Sequence, residues 1–236
     1  MSSLDFPSPC SRVRLVANFA ELVDSPWADG VNALCWPRVL PGDFGEVVAR
    51  LGTGEGIVAL GEERLQALAL EPDGRIAVTV MLDDFRRLRA RGLDPALNCI
   101  HGYPRDEEPG PVATDVYSFH ADSAPVPADT WLCTYHGLPS EGLCNEDARR
   151  RVDDPATRAA LLRLYGGKDD AGFGEFLREN CYDLHYAPMP GAQPYSFGVG
   201  HLWRIACDWP GSPVPPCIHR APVTPPGGAA RLLLIS

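Results

Sequence analysis

The chain has 236 residues with 21 Lys plus Arg against 31 Asp plus Glu, a formal net charge of −10, and 45% hydrophobic residues. That length allows one domain with a sizeable core. The acidic balance, in which Lys168 is the one lysine, argues against nucleic acid as a partner, because phosphate binding needs clustered lysine and arginine. No apolar stretch approaches membrane-spanning length, and residues 1–7 lack the basic-then-apolar pattern of a signal peptide, so a cytoplasmic protein with no membrane partner is expected. Eight cysteines, at positions 10, 35, 99, 133, 144, 181, 207 and 217, contain no C-x-x-C. Most read as small buried hydrophobes, and neither a disulfide framework nor a zinc ribbon is expected.

In chain order, Asp43 caps a helix in which Phe44, Val47, Val48 and Leu51 share one face and Gly52 closes the last turn. Gly74-Arg-Ile-Ala-Val-Thr-Val80 reads as a turn feeding a strand, or as the approach to a helix. Leu82, Phe85 and Leu88 then mark an apolar helical stripe, with Arg86, Arg87, Arg89 and Arg91 on a solvated face. Asp106-Glu-Glu-Pro-Gly-Pro111 is a charged, proline-rich loop. Strands are expected at 114–122, 130–136, 181–187, 195–207, 216–220 and 231–235. A helical insertion at about 145–180 interrupts them, opened by Asp154 as N-cap with Pro155 at the first helical position. Leu161, Leu162 and Tyr165 share a face before Gly166, and a short helix follows around Phe173, Phe176 and Leu177. The pattern predicts a single α+β domain over 1–236. A mixed helix and strand part, 1–110, packs on a jelly-roll, cupin-like core (a double-stranded β-helix) at 111–236 that carries the insertion.

Within Val116-Tyr-Ser-Phe-His-Ala-Asp122, His120 and Asp122 are two apart on an expected strand, so their side chains share a face. His219, in Pro216-Cys-Ile-His-Arg-Ala-Pro222, would add a second imidazole. Two histidines and one carboxylate on one side of a metal leave open positions, the arrangement of non-haem Fe(II) oxygenases. After the turn-rich Pro222-Val-Thr-Pro-Pro-Gly-Gly228, Arg231 opens an apolar strand. A cation there is costly unless it meets an anion, and a carboxylate of a substrate or co-substrate would satisfy it. Alternatively, Arg231 is simply solvated at the strand start.

Other candidates follow from position. Tyr135 shares a face with Cys133 and could bind a co-substrate carboxylate, or belong to the core. His201 and Arg204 fall on a strand expected beside the metal, and His185 and Tyr186 on the strand after the insertion; all four are candidate substrate-pocket residues. Cys133, His136 and Cys144 invite a zinc reading, but Cys133 and His136, three apart on a strand, face opposite sides. There is no Walker loop, GxGxxG or GxSxG, which disfavours nucleotide and serine-hydrolase chemistry.

The HxD…H…R layout resembles the Fe(II)/2-oxoglutarate dioxygenase superfamily. That resemblance implies a jelly-roll core, His120, Asp122 and His219 as metal ligands and Arg231 as anchor for 2-oxoglutarate. Several segments also resemble the bacterial DUF1826 family: Val31-Asn-Ala-Leu-Cys-Trp-Pro-Arg38, Phe119-His-Ala-Asp122, Leu132-Cys-Thr-Tyr-His-Gly137, Gly200-His-Leu-Trp-Arg204 and Ile218-His-Arg-Ala-Pro222 ahead of Arg231-Leu-Leu-Leu234. The insertion is longer than that family's pattern, and the family name supplies no activity.

The expectation is therefore an Fe(II)- and 2-oxoglutarate-dependent oxygenase that uses O2 on a small, polar or amino-acid-like molecule. Asp122, where a halogenase would need glycine or alanine, argues against halogenation. One alternative is an Fe(II) oxygenase without 2-oxoglutarate, in which Arg231 binds the substrate's own carboxylate. The other is a non-catalytic, cupin-like metal-binding or homeostasis protein.

Overall fold

A computed structural model describes residues 10–105, 110–224 and 228–236. The extreme N-terminus, most of the acidic loop at 106–111 and the middle of the turn at 222–228 lie outside the described residues. The first part of the chain contains β1 (Val13–Leu15), α1 (Phe19–Asp24), β2 (Ala33–Trp36), α2 (Phe44–Leu51), β3 (Ile57–Ala59), α3 (Glu62–Gln66), α4 (Pro72–Arg89) and β4 (Ala96–Ile100). Next come β5 (Phe119–His120), β6 (Asp129–His136), β7 (Glu141–Leu143), β8 (Ala148–Arg150), α5 (Pro155–Tyr165) and α6 (Ala171–Glu179). The chain continues through β9 (His185–Pro188), β10 (Tyr195–Ser196), β11 (Leu202–Ala206), β12 (Ile218–Arg220) and β13 (Arg231–Ile235).

The strands form two sheets, a larger one in the order β1-β2-β11-β6-β13-β4-β3 and a smaller one in the order β10-β7-β12-β5-β9-β8. Every pairing is antiparallel except β1 with β2. The larger sheet interleaves strands from both halves of the chain. The edge strands are β1 and β3 in one sheet and β10 and β8 in the other. The fold is thus mixed α+β with two largely antiparallel sheets, and no helix among the described residues is long and apolar enough to cross a membrane.

Period-two alternation explains how the larger sheet serves two cores. Leu34, Trp131, Cys133, Leu202, Leu232 and Leu234 face the helices and pack with Phe44, Val47, Met81 and Leu88. Their neighbours Cys35, Leu132, Trp203, Ile205 and Leu233 face the smaller sheet, where Tyr195, Phe197 and Cys217 meet them. The space between the sheets is where the candidate site lies.

Local signals account for most helices. Asp43 accepts from the Glu46 amide at the start of α2 (2.9 Å), and Gly52 follows its last turn. Asp154 accepts from the amides of Ala156 and Thr157 at the start of α5, behind Pro155. α5 and α6 bury a small core of their own with Val152, Leu161, Phe173 and Leu177.

Several expectations need correction. The strand at 181–187 begins only at His185, because Cys181 is left-handed and Tyr182–Leu184 form a 3-10 turn. Residues 74–80 belong wholly to α4: Pro72 sits in its first turn, and Ala77, Val78 and Met81 reach the core at helical spacing, so burial outweighs the β-branched composition. The strand expected at 114–122 shrinks to Phe119–His120, because the Asp115 carboxylate accepts from the amides of Tyr117 and Ser118 and turns the chain. The strand at 195–207 breaks into β10 and β11, since Gly198 and Gly200 adopt φ of +70° and +84°. Finally, Cys10 and Cys144 form a disulfide across a separation of 134 residues, with Cα atoms 5.5 Å apart.

That crosslink closes a long loop, and the chain-entropy model assigns such a loop about 4–5 kcal/mol. Cys10→Ser with Cys144→Ser should lower the urea midpoint of the oxidised protein accordingly. Reductant should lower the wild-type midpoint toward that of the double variant; equal midpoints for all three samples would show that the two thiols are not paired.

Candidate metal centre

β5 and β12 are antiparallel neighbours in which His120 and His219 are direct register partners, so two distant segments place their imidazoles side by side, 4.6 Å between ring centroids. Asp122 follows two residues after His120. The ladder continues irregularly past β5, with the Ala121 amide donating to the Leu184 carbonyl and the Asp208 amide to the Asp122 carbonyl. Asp122 Oδ1 lies 3.8 Å from His120 Nε2, and Oδ2 lies 3.7 Å from His219 Nε2. One ligand atom from each of the three residues falls within 4.8 Å of the others. Ligands bound in cis at a bond length of about 2.1 Å sit about 3.0 Å apart, so modest side-chain rotations would close the triangle around an ion.

The surroundings orient each ligand. His120 Nδ1 is 2.8 Å from the Ser118 carbonyl and His219 Nδ1 is 3.4 Å from the Cys217 carbonyl. A ring that donates Nδ1–H to a carbonyl presents Nε2 as the lone-pair atom, the tautomer a metal requires. Thr130 Oγ1 donates to Asp122 Oδ2 at 2.5 Å, fixing the carboxylate. Burial, reinforced by the adjacent His219, holds His120 below the ordinary imidazole pKa. For Asp122 burial pushes upward but is outweighed by His219, the Thr130 bond and His120, so its carboxyl lies below the usual range. Neutral imidazoles and an ionised carboxylate are the forms that bind a divalent transition ion, and the donor set fits one.

Register also explains a glycine. Gly142 on β7 is the partner of His219 on its other side, and the Tyr195 ring lies where a Cβ at Gly142 would project. Only glycine leaves room for that ring against the strand.

Arg231 is 1% exposed. Its residue number has the parity of Leu233 and Ile235, which line the space between the sheets. Its guanidinium donates to Tyr103 Oη (2.8 Å), Thr134 Oγ1 (3.2 Å) and Ser140 Oγ (3.2 Å), all neutral hydroxyls. Among the described residues it forms no ion pair, and its Nε is buried without a hydrogen-bond partner. Burial pulls its pKa down, tempered by Tyr103. A cavity of about 130 Å³ is lined by His120, Asp122, His219 and Thr130 and also by Tyr103 and Ser140, the partners of Arg231.

The remaining candidates divide. His185 is buried on β9 as the register partner of His120, its ring 5.7 Å away. Tyr186, the next residue, pairs with Phe119 and packs on the opposite face with Leu143 and Ile218. Tyr135 is not brought to the site. It faces the helices, stacks on Phe44 and donates to Asp84 Oδ2 (2.9 Å). Asp84 is also paired with Arg38 (2.7 Å), whose backbone amide donates to His201 Nδ1 (3.1 Å). His201 lines a separate cavity there with Arg38, Phe44 and Tyr135. Arg204 is equally remote: it pairs with Asp129 (2.7 Å), donates to the carbonyls of Val23 and Ser25, and lies over Trp27 and Trp131. Tyr103, Thr130, Thr134 and Ser140 went unnoticed in the sequence, where isolated hydroxyl residues carry no spacing signal.

Comparison with protein-family models, with curated proteins and with solved structures finds no match.

If the triad holds a divalent metal ion, His120→Ala, Asp122→Ala and His219→Ala should each abolish its stoichiometric binding while leaving the circular dichroism spectrum unchanged. Thr130→Val, which removes only the orienting bond, should weaken the metal by about 10–100-fold. Full metal occupancy in all three alanine variants would refute the assignment.

Proposed function

We propose that this protein is a non-haem Fe(II)- and 2-oxoglutarate-dependent oxygenase acting on a small, polar or amino-acid-like molecule. In this reading the two sheets form a jelly-roll core, and the segments named above relate the chain to the DUF1826 family. A cytoplasmic location belongs to the same reading; there Cys10 and Cys144 would be held reduced. The observation that carries the proposal is the single cavity of about 130 Å³ lined both by the His120–Asp122–His219 triad and by the hydroxyl partners of the buried Arg231.

Bound Fe(II) with 2-oxoglutarate would supply O2 activation coupled to oxidative decarboxylation, yielding succinate, CO2 and an oxidised substrate. The protein's own residues prepare for it. His120 and His219 present Nε2 atoms, Asp122 partly neutralises the dication, and Thr130 keeps that carboxylate aimed. Behind Tyr103 and Ser140 on the far wall, Arg231 holds a positive charge that none of its neutral partners cancels. The hydroxyls of Tyr103, Thr134 and Ser140 accept from the guanidinium, so each keeps its own proton to donate. A carboxylate there would meet a cation and several O–H donors in a desolvated setting, where charge-assisted bonds are strongest. The cavity suits one small dicarboxylate, and Leu132, Leu233, Val116 and Ala221 supply apolar walls that exclude water.

Titrating 2-oxoglutarate into the anaerobic Fe(II) protein should produce a metal-to-ligand charge-transfer band. Arg231→Met should raise the half-saturating concentration, by an amount equivalent to about 2–5 kcal/mol, while sparing iron. Lysine should rescue in part, because an ammonium lacks the planar fork. Absence of a band in the wild type would favour an Fe(II) oxygenase in which Arg231 holds the substrate's carboxylate, or a non-catalytic metal-binding protein.

A further inference from the structure

One residue past Asp122 a second cavity of about 340 Å³ opens, with Ser123 and Ala124 on one wall and Arg178, Asp183, Asp208 and Trp209 on the others. Hydrogen bonds tie its walls to the metal-bearing segment. The Asp208 amide donates to the Asp122 carbonyl (2.7 Å), the Ala124 amide to the Asp208 carbonyl (2.9 Å), and the Ala121 amide to the Leu184 carbonyl (3.0 Å). Tyr103 and Ser140, which line the first cavity, are absent from this lining. A molecule seated here would therefore lie beside the segment that carries Asp122 and leave the first cavity to a second ligand.

The charged groups of this cavity are not joined in close ion pairs. Among the described residues Arg178 forms no ion pair, and Asp183 Oδ1 is buried without a hydrogen-bond partner. Burial raises the Asp183 carboxyl above its ordinary value, against a backbone hydrogen bond and the pull of Arg150 and Arg178, and Asp208 adds slightly to the rise. Two carboxylates near one another, with a guanidinium and an indole on the same cavity, match the poles of a zwitterion. Arg178 comes from α6 and Asp183 from the 3-10 turn Tyr182–Leu184 that follows it, so the insertion and the turn that ends it supply charged groups beside the metal segment.

We propose that this cavity is the substrate site, that it takes a free α-amino acid, and that the helical insertion is its specificity element. The ammonium lies between Asp183 and Asp208, the carboxylate meets Arg178, and the side chain rests against Trp209 and the neighbouring prolines. That the bound amino acid is the molecule oxidised rests on the oxygenase reading; that it binds does not.

The test is calorimetric titration of the metal-free full chain with L-leucine and L-phenylalanine, each against its 2-hydroxy counterpart, 2-hydroxy-4-methylpentanoate and phenyllactate. Saturable binding of an amino acid is expected, weakened at least about tenfold when hydroxyl replaces ammonium. Arg178→Met and Asp208→Asn change exposed side chains and should each weaken it at least about tenfold, with circular dichroism and Fe(II) binding as in the wild type. The proposal is overturned if neither amino acid binds, if the hydroxy acids bind equally well, or if both variants bind as the wild type does. Failure of the oxygenase reading shows separately, as absence of Fe(II) or 2-oxoglutarate binding, because this titration needs neither.

Discussion

Burying an arginine between two sheets without a carboxylate is the constraint around which the rest of this structure is arranged. Taking a guanidinium out of water costs several kcal/mol unless hydrogen bonds and an anion compensate it. In the chain itself Arg231 obtains hydrogen bonds from Tyr103, Thr134 and Ser140. These partners come from three places, the loop after β4, strand β6 and the segment before β7, so the arginine draws together pieces that no short-range signal would unite. Each partner is neutral, and the positive charge remains available to a ligand. The protein elsewhere neutralises its half-buried arginines: Arg38 has Asp84 and Arg204 has Asp129. The contrast within one molecule separates arginines paired with a carboxylate from one whose charge no side chain balances among the described residues.

The central strands of the larger sheet make this separation possible. β6 sends Thr130, Leu132 and Thr134 toward the cavity and Trp131, Cys133 and Tyr135 toward the helices. The pairing of β6 with β13 shifts register at Leu232/Leu233, whose partners are His136 and Thr134, leaving Tyr135 as the extra residue. Such a bulge re-aims side chains locally. Two polar networks, one around Arg231 and one around Asp84, thus share a strand without sharing an atom.

The triad was legible because its spacing is local and its chemistry distinctive. His120 and Asp122 needed only the period of a strand, and His219 only a second extended segment of like composition. The cap at Asp154 and the helix begun at Asp43 were legible for the same reason, as each signal spans four residues. What lay hidden depends on long-range register. Tyr135 shares a face with Cys133 as the alternation of a strand requires, yet which face met the triad was set by the packing of α2 and α4, beyond local pattern. The Cys10–Cys144 crosslink joins residues 134 positions apart. Residues 74–80 carry strand-like composition but follow Pro72 into a helix, because their burial against α2 decides the matter.

The short edge strands bear on how copies of this chain meet. β1, β3 and β8 are three residues long and β10 is two. Each therefore offers a neighbouring molecule only a few unpaired amides and carbonyls as a template for edge-to-edge pairing. The long, apolar strands β6 and β13, with the sequences best suited to cross-β stacking, lie inside their sheet and are paired on both sides. Aggregation through these segments would first require the sheet to open, so colloidal stability in this protein is tied to the folding equilibrium of its centre rather than to its surface.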